Sequence, residues 1–462
     1  MKRTGGQGVR LTAEGDNQPQ HPIMKICLFW YRRDLRVHDN AGLAAALASG
    51  LPVLPLFIYD QEILDHLPDK ADARLTFIYD EVEKLAHATE AAGGTFLARY
   101  GQPLAVLEQL VRDFDVAAVH TNEDYEPYAT ARDTAVARML AKHGVEFHAH
   151  KDQVIFAKEE IMTKSGTVPK VFGAYLKTYL AKLTDELLAP HDSKRHFIKA
   201  NLHHVPEAKA GPRPTLAGMG FARREQDVPP VKLPPESVVR TYHKTRDTPA
   251  DEHGSTRESL NLRFGTLSVR ETMRQAKELN PKLLSEIIWR DFYMMLLWHF
   301  PRTATESYDP KMRHIGYRNN EDEFRAWCEG RTGYPLVDAG MRQLNATGYL
   351  PNRVRMTVAG FLVKHLFIDW RWGERYFADK LLDYDLANNV GNWQWMAGTG
   401  AISAPWFRVY SPANQQAQVD PDLKYIRRWV PEVGTAKYPK PIVEHKFARD
   451  RAVAAIRAAR LA

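Results

Sequence analysis

The chain has 462 residues, 44% of them hydrophobic and 26% charged, and a formal net charge of +7. That length is too great for a single hydrophobic core and implies two domains or more, with the composition of an ordinary globular protein. No run approaches the roughly 18 apolar residues of a membrane helix, which argues against a membrane protein. The two cysteines, Cys27 and Cys328, form no disulfide or metal motif and suit a reducing compartment.

Residues 1–23 contain Gly, Gln and Pro and no apolar core for a signal peptide. They read as a disordered leader, with Met24 as the original start. From Met24 to Asp152, short apolar runs alternate with helical patterns. The strand candidates are I-C-L-F-W, V-L-P-L-F-I-Y, T-F-L-A-R-Y, A-A-V-H-T and E-F-H-A-H. Helical stretches such as L-T-F-I-Y-D-E-V-E-K-L-A-H-A lie between them. The alternation predicts a Rossmann-like α/β domain with a parallel sheet. No G-x-G-x-x-G follows the first strand, so a ligand here would sit at the strand ends.

Residues 153–235 lose this periodicity and gain Pro, Lys and His, and they read as a connector running over the surface. From 236 to 462 the pattern is helical almost throughout. Ser268, with Glu271 three positions on, forms a capping box that opens one helix. Nine of the ten tryptophans follow residue 288, a density that suits a large core and equally a cofactor cage.

Two stretches of this helical half stand out chemically. Tyr242, Arg246 and the polar loop Gly254–Ser259 offer small residues, hydroxyls and backbone amides to phosphate oxygens, though a plain polar loop has the same composition. Asp383–Trp395, D-Y-D-L-A-N-N-V-G-N-W-Q-W, packs poor helix formers into a helical context, so packing or a ligand must compensate them. It reads either as a polar cap running into an aromatic core or as a wall facing a ligand.

Five blocks, taken in order, resemble the photolyase and cryptochrome family: F-W-Y-R-R-D-L-R-V-H-D-N, E-I-I-W-R-D-F-Y, W-C-E-G-R-T-G-Y-P-L-V-D-A-G-M-R, G-Y-L-P-N-R-V-R-M and the Asp383–Trp395 stretch. The resemblance spans nearly the whole chain from Met24, and it implies an all-α FAD-binding domain after the α/β domain. An antenna chromophore, folate or deazaflavin, is expected in the first domain. By the same resemblance Tyr242, Ser255, Thr256, Arg257, Glu258 and Ser259 hold the FAD diphosphate. Arg355 and Asp383 form an ion pair beside the isoalloxazine, Tyr384 and Asp385 also bind the cofactor, and Asn389 faces the N5 edge. An Asn there cannot donate a proton, as the Asp of plant cryptochromes can. Glu258 departs from the family's usual apolar residue, and beside a diphosphate it must point away or pair with a base such as Arg257. Leu260, Pro351, Val390 and Asn392 depart from it as well.

The lesion pocket implied by the resemblance comprises Glu286, Trp289, Asn352, Met356 and Trp395, with Arg290 and Tyr293 from the same helix motif. Arg246, Arg353 and Gln415 match phosphate contacts, which position DNA without reading its sequence. The related 6-4 photolyases carry His at the positions of Asn352 and Met356, so this chain resembles a class I-type cyclobutane pyrimidine dimer photolyase. Its catalytic set is then Glu286, Asn352, Met356 and Asn389, with no metal. The iron–sulfur branch is excluded because it needs four cysteine ligands. Trp393 and Trp370 match the inner members of an electron relay to the flavin, and Tyr317 stands at the outer position. The implied protein is a cytoplasmic monomer working on chromosomal DNA. Its rivals are a cryptochrome-type blue-light receptor without repair activity and a basic DNA-binding protein without flavin.

Overall fold

β1 (Ile26–Tyr31) is buried along its whole length, and its side chains alternate between two cores. Cys27, Phe29 and Tyr31 face one, and Ile26, Leu28 and Trp30 the other. This two-faced burial explains why the strand reads as a continuous apolar run. The remaining strands are β2 (Val53–Asp60), β3 (Leu97–Gly101), β4 (Val116–Asn122) and β5 (Glu146–His150), all parallel, in the order β3-β2-β1-β4-β5. Leu28 pairs in register with Leu54 on one side and Val119 on the other. Helices α1 (Ala41–Leu47) and α2 (Ala73–Ala91) cover one face, and α3 (Pro103–Asp113) and α4 (Pro127–Lys142) the other. The computed structural model describes residues 24–401, 405 and 407–461, so the leader expected at 1–23 lies outside the described residues.

The stretch 153–235 is not the surface connector its composition suggests. It carries α5 (Phe172–Lys182), whose Tyr175 and Tyr179 are fully buried. These two tyrosines lie one helical turn apart, and the Tyr179 hydroxyl donates to Asp291 at 2.8 Å. Leu202 and Val205, farther along, enter the two cores of the α/β domain. Two buried anchors per helix are too few to register as a pattern among the surrounding Pro, Lys and His, yet each buried ring contributes about 1.5–3 kcal/mol.

The helical half is organised by its caps. Ser268 accepts from the amides of Arg270 and Glu271 and starts the helix Val269–Leu279. α6 (Pro281–His299) begins at Asn280, whose side chain accepts from Lys282 N at 3.0 Å. α7 (Asn352–Gly360) runs into a π-helical turn, Phe361–Leu366, which ends at Phe367 in a left-handed conformation with φ 54°. α8 (Trp370–Lys380) starts at Asp369, and α9 (Leu386–Ala397) at Asp385. Between them, a Cβ on Gly373 would lie 2.2 Å from the Trp393 ring, so only glycine permits this approach.

Candidate active site

The ends of α6, α7 and α9 and the loop Ser255–Ser259 enclose two adjoining lobes of about 320 and 280 Å³. They share Glu286, Asn352, Arg355, Asp383, Asp385 and Asn388, so they form one continuous site. Their combined size falls within the roughly 300–1,000 Å³ of pockets that engulf a ligand. Trp289, Tyr293, Met356, Tyr384, Asn389, Trp393 and Trp395 line the larger lobe. Tyr242, Arg246, Ser255, Thr256, Arg257, Glu258, Ser259 and Arg290 line the smaller. Among the described residues, none that line either lobe is a histidine.

Charge in the shared wall is tightly paired. Arg355 donates Nη2 to both oxygens of Asp383, at 3.0 and 2.8 Å, and Nε to Leu350 O at 2.7 Å. Asp385 accepts from the Asn388 amide at 3.0 Å, which caps α9, and from Arg33 Nη2 at 2.6 Å. Burial alone would raise the Asp385 carboxyl, but Arg33, Arg263 and Arg290 hold it well below the usual range. Glu286 is partly buried, yet its ion pairs with Arg246 and with Lys282 (2.7 Å) lower it, so it is anionic. Asn389 donates its amide to the backbone oxygen of Glu374 at 3.1 Å and to Oε1 at 3.0 Å. Held this way, it turns its carbonyl oxygen away from Glu374. Glu374 itself is raised by burial, against the hydrogen bonds from Asn389 and Tyr384.

Glu258 does not pair with Arg257. It is buried, its Oε1 has no partner, and burial pushes it up to about 7 despite nearby hydroxyls of Thr256 and Thr272. A carboxyl of this kind carries a proton over much of the neutral range, which removes the conflict with a diphosphate. Arg257 instead lays its guanidinium 4.6 Å from the centre of the Tyr349 ring. Its backbone has φ 51°, a strained conformation costing about 1–3 kcal/mol for a non-glycine residue.

Several of the proposed residues lie outside the lobes. Trp370 is buried in the same apolar cluster as Trp393, and its Nε1 donates to Ser307 Oγ at 3.3 Å. Tyr317 packs in a separate cluster, with its ring 5.2 Å from Phe367. Arg353 pairs with Asp247 at 2.7 Å, and Gln415 sits on the short helix Pro412–Val419, bonded to Gln418.

Sequence reasoning missed four residues here. Phe172 stacks on Trp289 with centroids 3.6 Å apart and planes 9° from parallel. Tyr349, Glu374 and Arg33 are the others. Phe172 lay in a stretch dismissed as connector. Glu374 enters only through its bonds to Asn389, across 15 positions, which no sequence spacing announces.

The residues present fit FAD. The smaller lobe offers hydroxyls and an Arg257 Nε without a partner, which suit phosphate oxygens. The larger lobe offers flat aromatic walls and acid acceptors, which suit a ring system.

Comparison with known proteins agrees. Residues 27–192 match the family model described as DNA photolyase, and residues 283–437 the one described as the FAD binding domain of DNA photolyase. A deoxyribodipyrimidine photo-lyase of Synechococcus is 34% identical over 457 residues, covering 91% of this chain and 94% of that protein. A class III photolyase from Agrobacterium tumefaciens is 30% identical with a TM-score of 0.82, over 96% of this chain and 100% of that one. An archaeal photolyase from Sulfolobus tokodaii, described with two FAD molecules and a novel light-harvesting cofactor, is 33% identical with a TM-score of 0.80, over 94% of this chain and 100% of that one.

Proposed function

We propose, because this chain belongs to the photolyase and cryptochrome family, that it splits cyclobutane pyrimidine dimers in DNA with light. Its curated relatives are named photo-lyases, which supports DNA photolyase activity as the enzymatic class. Bound FAD, reduced and light-excited, supplies one electron to the lesion and recovers it, so the reaction has no net redox change.

The chain's own residues do the rest. A dimer inside a duplex must be extruded, at a cost of a few kcal/mol that is smaller for a poorly stacked lesion. Trp289 and Trp395 offer walls on which extruded bases stack, at roughly 1–3 kcal/mol per base. Phe172 backs the Trp289 ring and keeps it fixed. Glu286, anionic and clamped by Arg246 and Lys282, accepts an N–H from the base edge. Arg246, Arg353 and Gln415 take DNA phosphates, in keeping with the net positive charge. The protein acts as a monomer on chromosomal DNA in the cytoplasm. The Sulfolobus relative adds a second flavin to folate and deazaflavin as antenna candidates.

The observation that carries this reading is the aromatic lobe with no imidazole on its wall among the described residues. Splitting a cyclobutane dimer needs an electron out and back, whereas the related 6-4 enzymes use a histidine as proton donor. The solved structures it resembles include a class III photolyase, so the proposal names the lesion and not the class. The test is repair of two defined oligonucleotides, one with each lesion, in light and in darkness. Light-dependent repair of the cyclobutane dimer alone is expected. Repair of the 6-4 product refutes the lesion assignment, and FAD binding with no repair of either makes the protein a light receptor.

A further inference from the structure

The motif that opens the α/β domain, W-Y-R-R-D-L-R, has so far been given no part in the chemistry. Arg33 is the second residue past the end of β1. The strand order reverses between β1 and β4, and doubly wound sheets commonly bind ligands in the crevice beyond the strand ends at such a point. Here Arg33 occupies that place. Its Nη1 donates to Glu126 at 2.8 Å and to Asp124 at 3.3 Å, both in the loop after β4. Its Nη2 leaves the domain and donates to Asp385 at 2.6 Å. Nε donates to the backbone oxygen of Arg263 at 3.3 Å, and Arg263 in turn reaches Glu126 at 2.9 Å and Asp385 at 3.5 Å.

Asp385 caps the helix that carries Asn389 and Trp393, and it lines both lobes of the flavin cavity. Asn388 uses one of its oxygens and Arg33 the other, which fixes the carboxylate plane from two sides. We propose that Arg33 is a positioning residue of the flavin site, contributed by the α/β domain, which holds Asp385 in place and balances its charge against the bound FAD. The proposal rests on the FAD reading of that cavity. Without the guanidinium, only Arg263 at 3.5 Å and the more distant Arg290 offset the Asp385 carboxylate, so more negative charge borders the cavity, and both binding of FAD and addition of an electron to it become less favourable. A guanidinium makes the two-directional contact that an ammonium cannot.

The test uses the full chain carrying Arg33→Met or Arg33→Lys. Apo-protein is titrated with FAD, and the midpoint potential of the bound flavin is measured against redox dyes. Arg33→Met is expected to weaken FAD binding tenfold or more and to move the potential to more negative values, while Arg33→Lys restores part of both. A clasp that merely joins the domains would lower the melting temperature and leave the potential of retained FAD unchanged, and that result overturns the proposal. Should Arg33→Met fail to fold, Arg33→Gln, which keeps a donor but loses the charge, decides: FAD affinity and a potential equal to the parent's refute the role. If the parent itself binds no FAD, the flavin reading has failed and not the role of Arg33.

Discussion

Replacing Asn389 by Asp tests the flavin edge through a neighbour that the structure supplies. The Asn389 amide donates to Glu374 Oε1 over 3.0 Å, and burial already raises Glu374. Asn389→Asp sets two carboxyls across that gap. Two unit charges about 4 Å apart repel by about 4 kcal/mol at an effective dielectric near 20, and about 1.4 kcal/mol is one pKa unit. The pair therefore keeps a shared proton well above the ordinary carboxyl range. The parent has an amide that releases no proton, whereas the variant has a shared, mobile proton on the cavity wall. The assay is the absorption spectrum of bound FAD during illumination with a sacrificial donor, in mildly acid and mildly alkaline buffer. The variant is expected to build up a protonated, partly reduced flavin in acid and to lose it in alkali, and to hold the fully reduced form less well. Spectra that match the parent's in both buffers would show that Asn389 does not border the flavin's reactive edge.

Trp289→Ala should weaken binding of dimer-containing DNA by a stacking-sized amount, roughly 1–3 kcal/mol, with flavin content unchanged; equal affinity by fluorescence titration removes Trp289 from the lesion pocket. Tyr317→Phe should slow photoreduction of oxidised FAD markedly and leave repair by chemically reduced protein untouched. A parental photoreduction rate instead ends the relay at Trp370 or branches it to Trp372. Glu258→Gln addresses pH. Because the folded carboxyl sits at about 7 against an ordinary 4.5, the native state binds the extra proton between those values, and its stability falls as pH rises through them. Removing the acid should therefore raise the melting temperature in alkaline buffer, by up to about 3 kcal/mol of stability, and do nothing below the ordinary glutamate range. An equal gain at every pH would mean the carboxyl is not buried unpaired.

The α/β half was legible because β1, β2 and β4 are buried on both faces, so each shows as an apolar run that turn residues punctuate. α5 was not, because its inward anchors, Tyr175 and Tyr179, are amphipathic and its outward face is basic. The cavity residues were legible only as blocks resembling a family: nothing in the spacing of Arg355 and Asp383 announces a bond across 28 positions. Pairings that cross between domains, such as Arg33 with Asp385 and Phe172 with Trp289, depend on how two separately readable halves dock. For Glu258, charge alone left its burial and raised carboxyl unread.

The packing of α5 bears on how the protein can be dissected. The obvious cut, just before residue 236, would produce a fragment containing every helix that lines the cavity. It would also strip Phe172 from Trp289, Tyr175 from Phe292 and the Tyr179 hydroxyl from Asp291, whose carboxyl has no other side-chain hydroxyl donor among the described residues. An expression fragment meant to carry the flavin domain alone must therefore start upstream of Phe172, and one that omits α5 exposes aromatic surface that favours aggregation over folding.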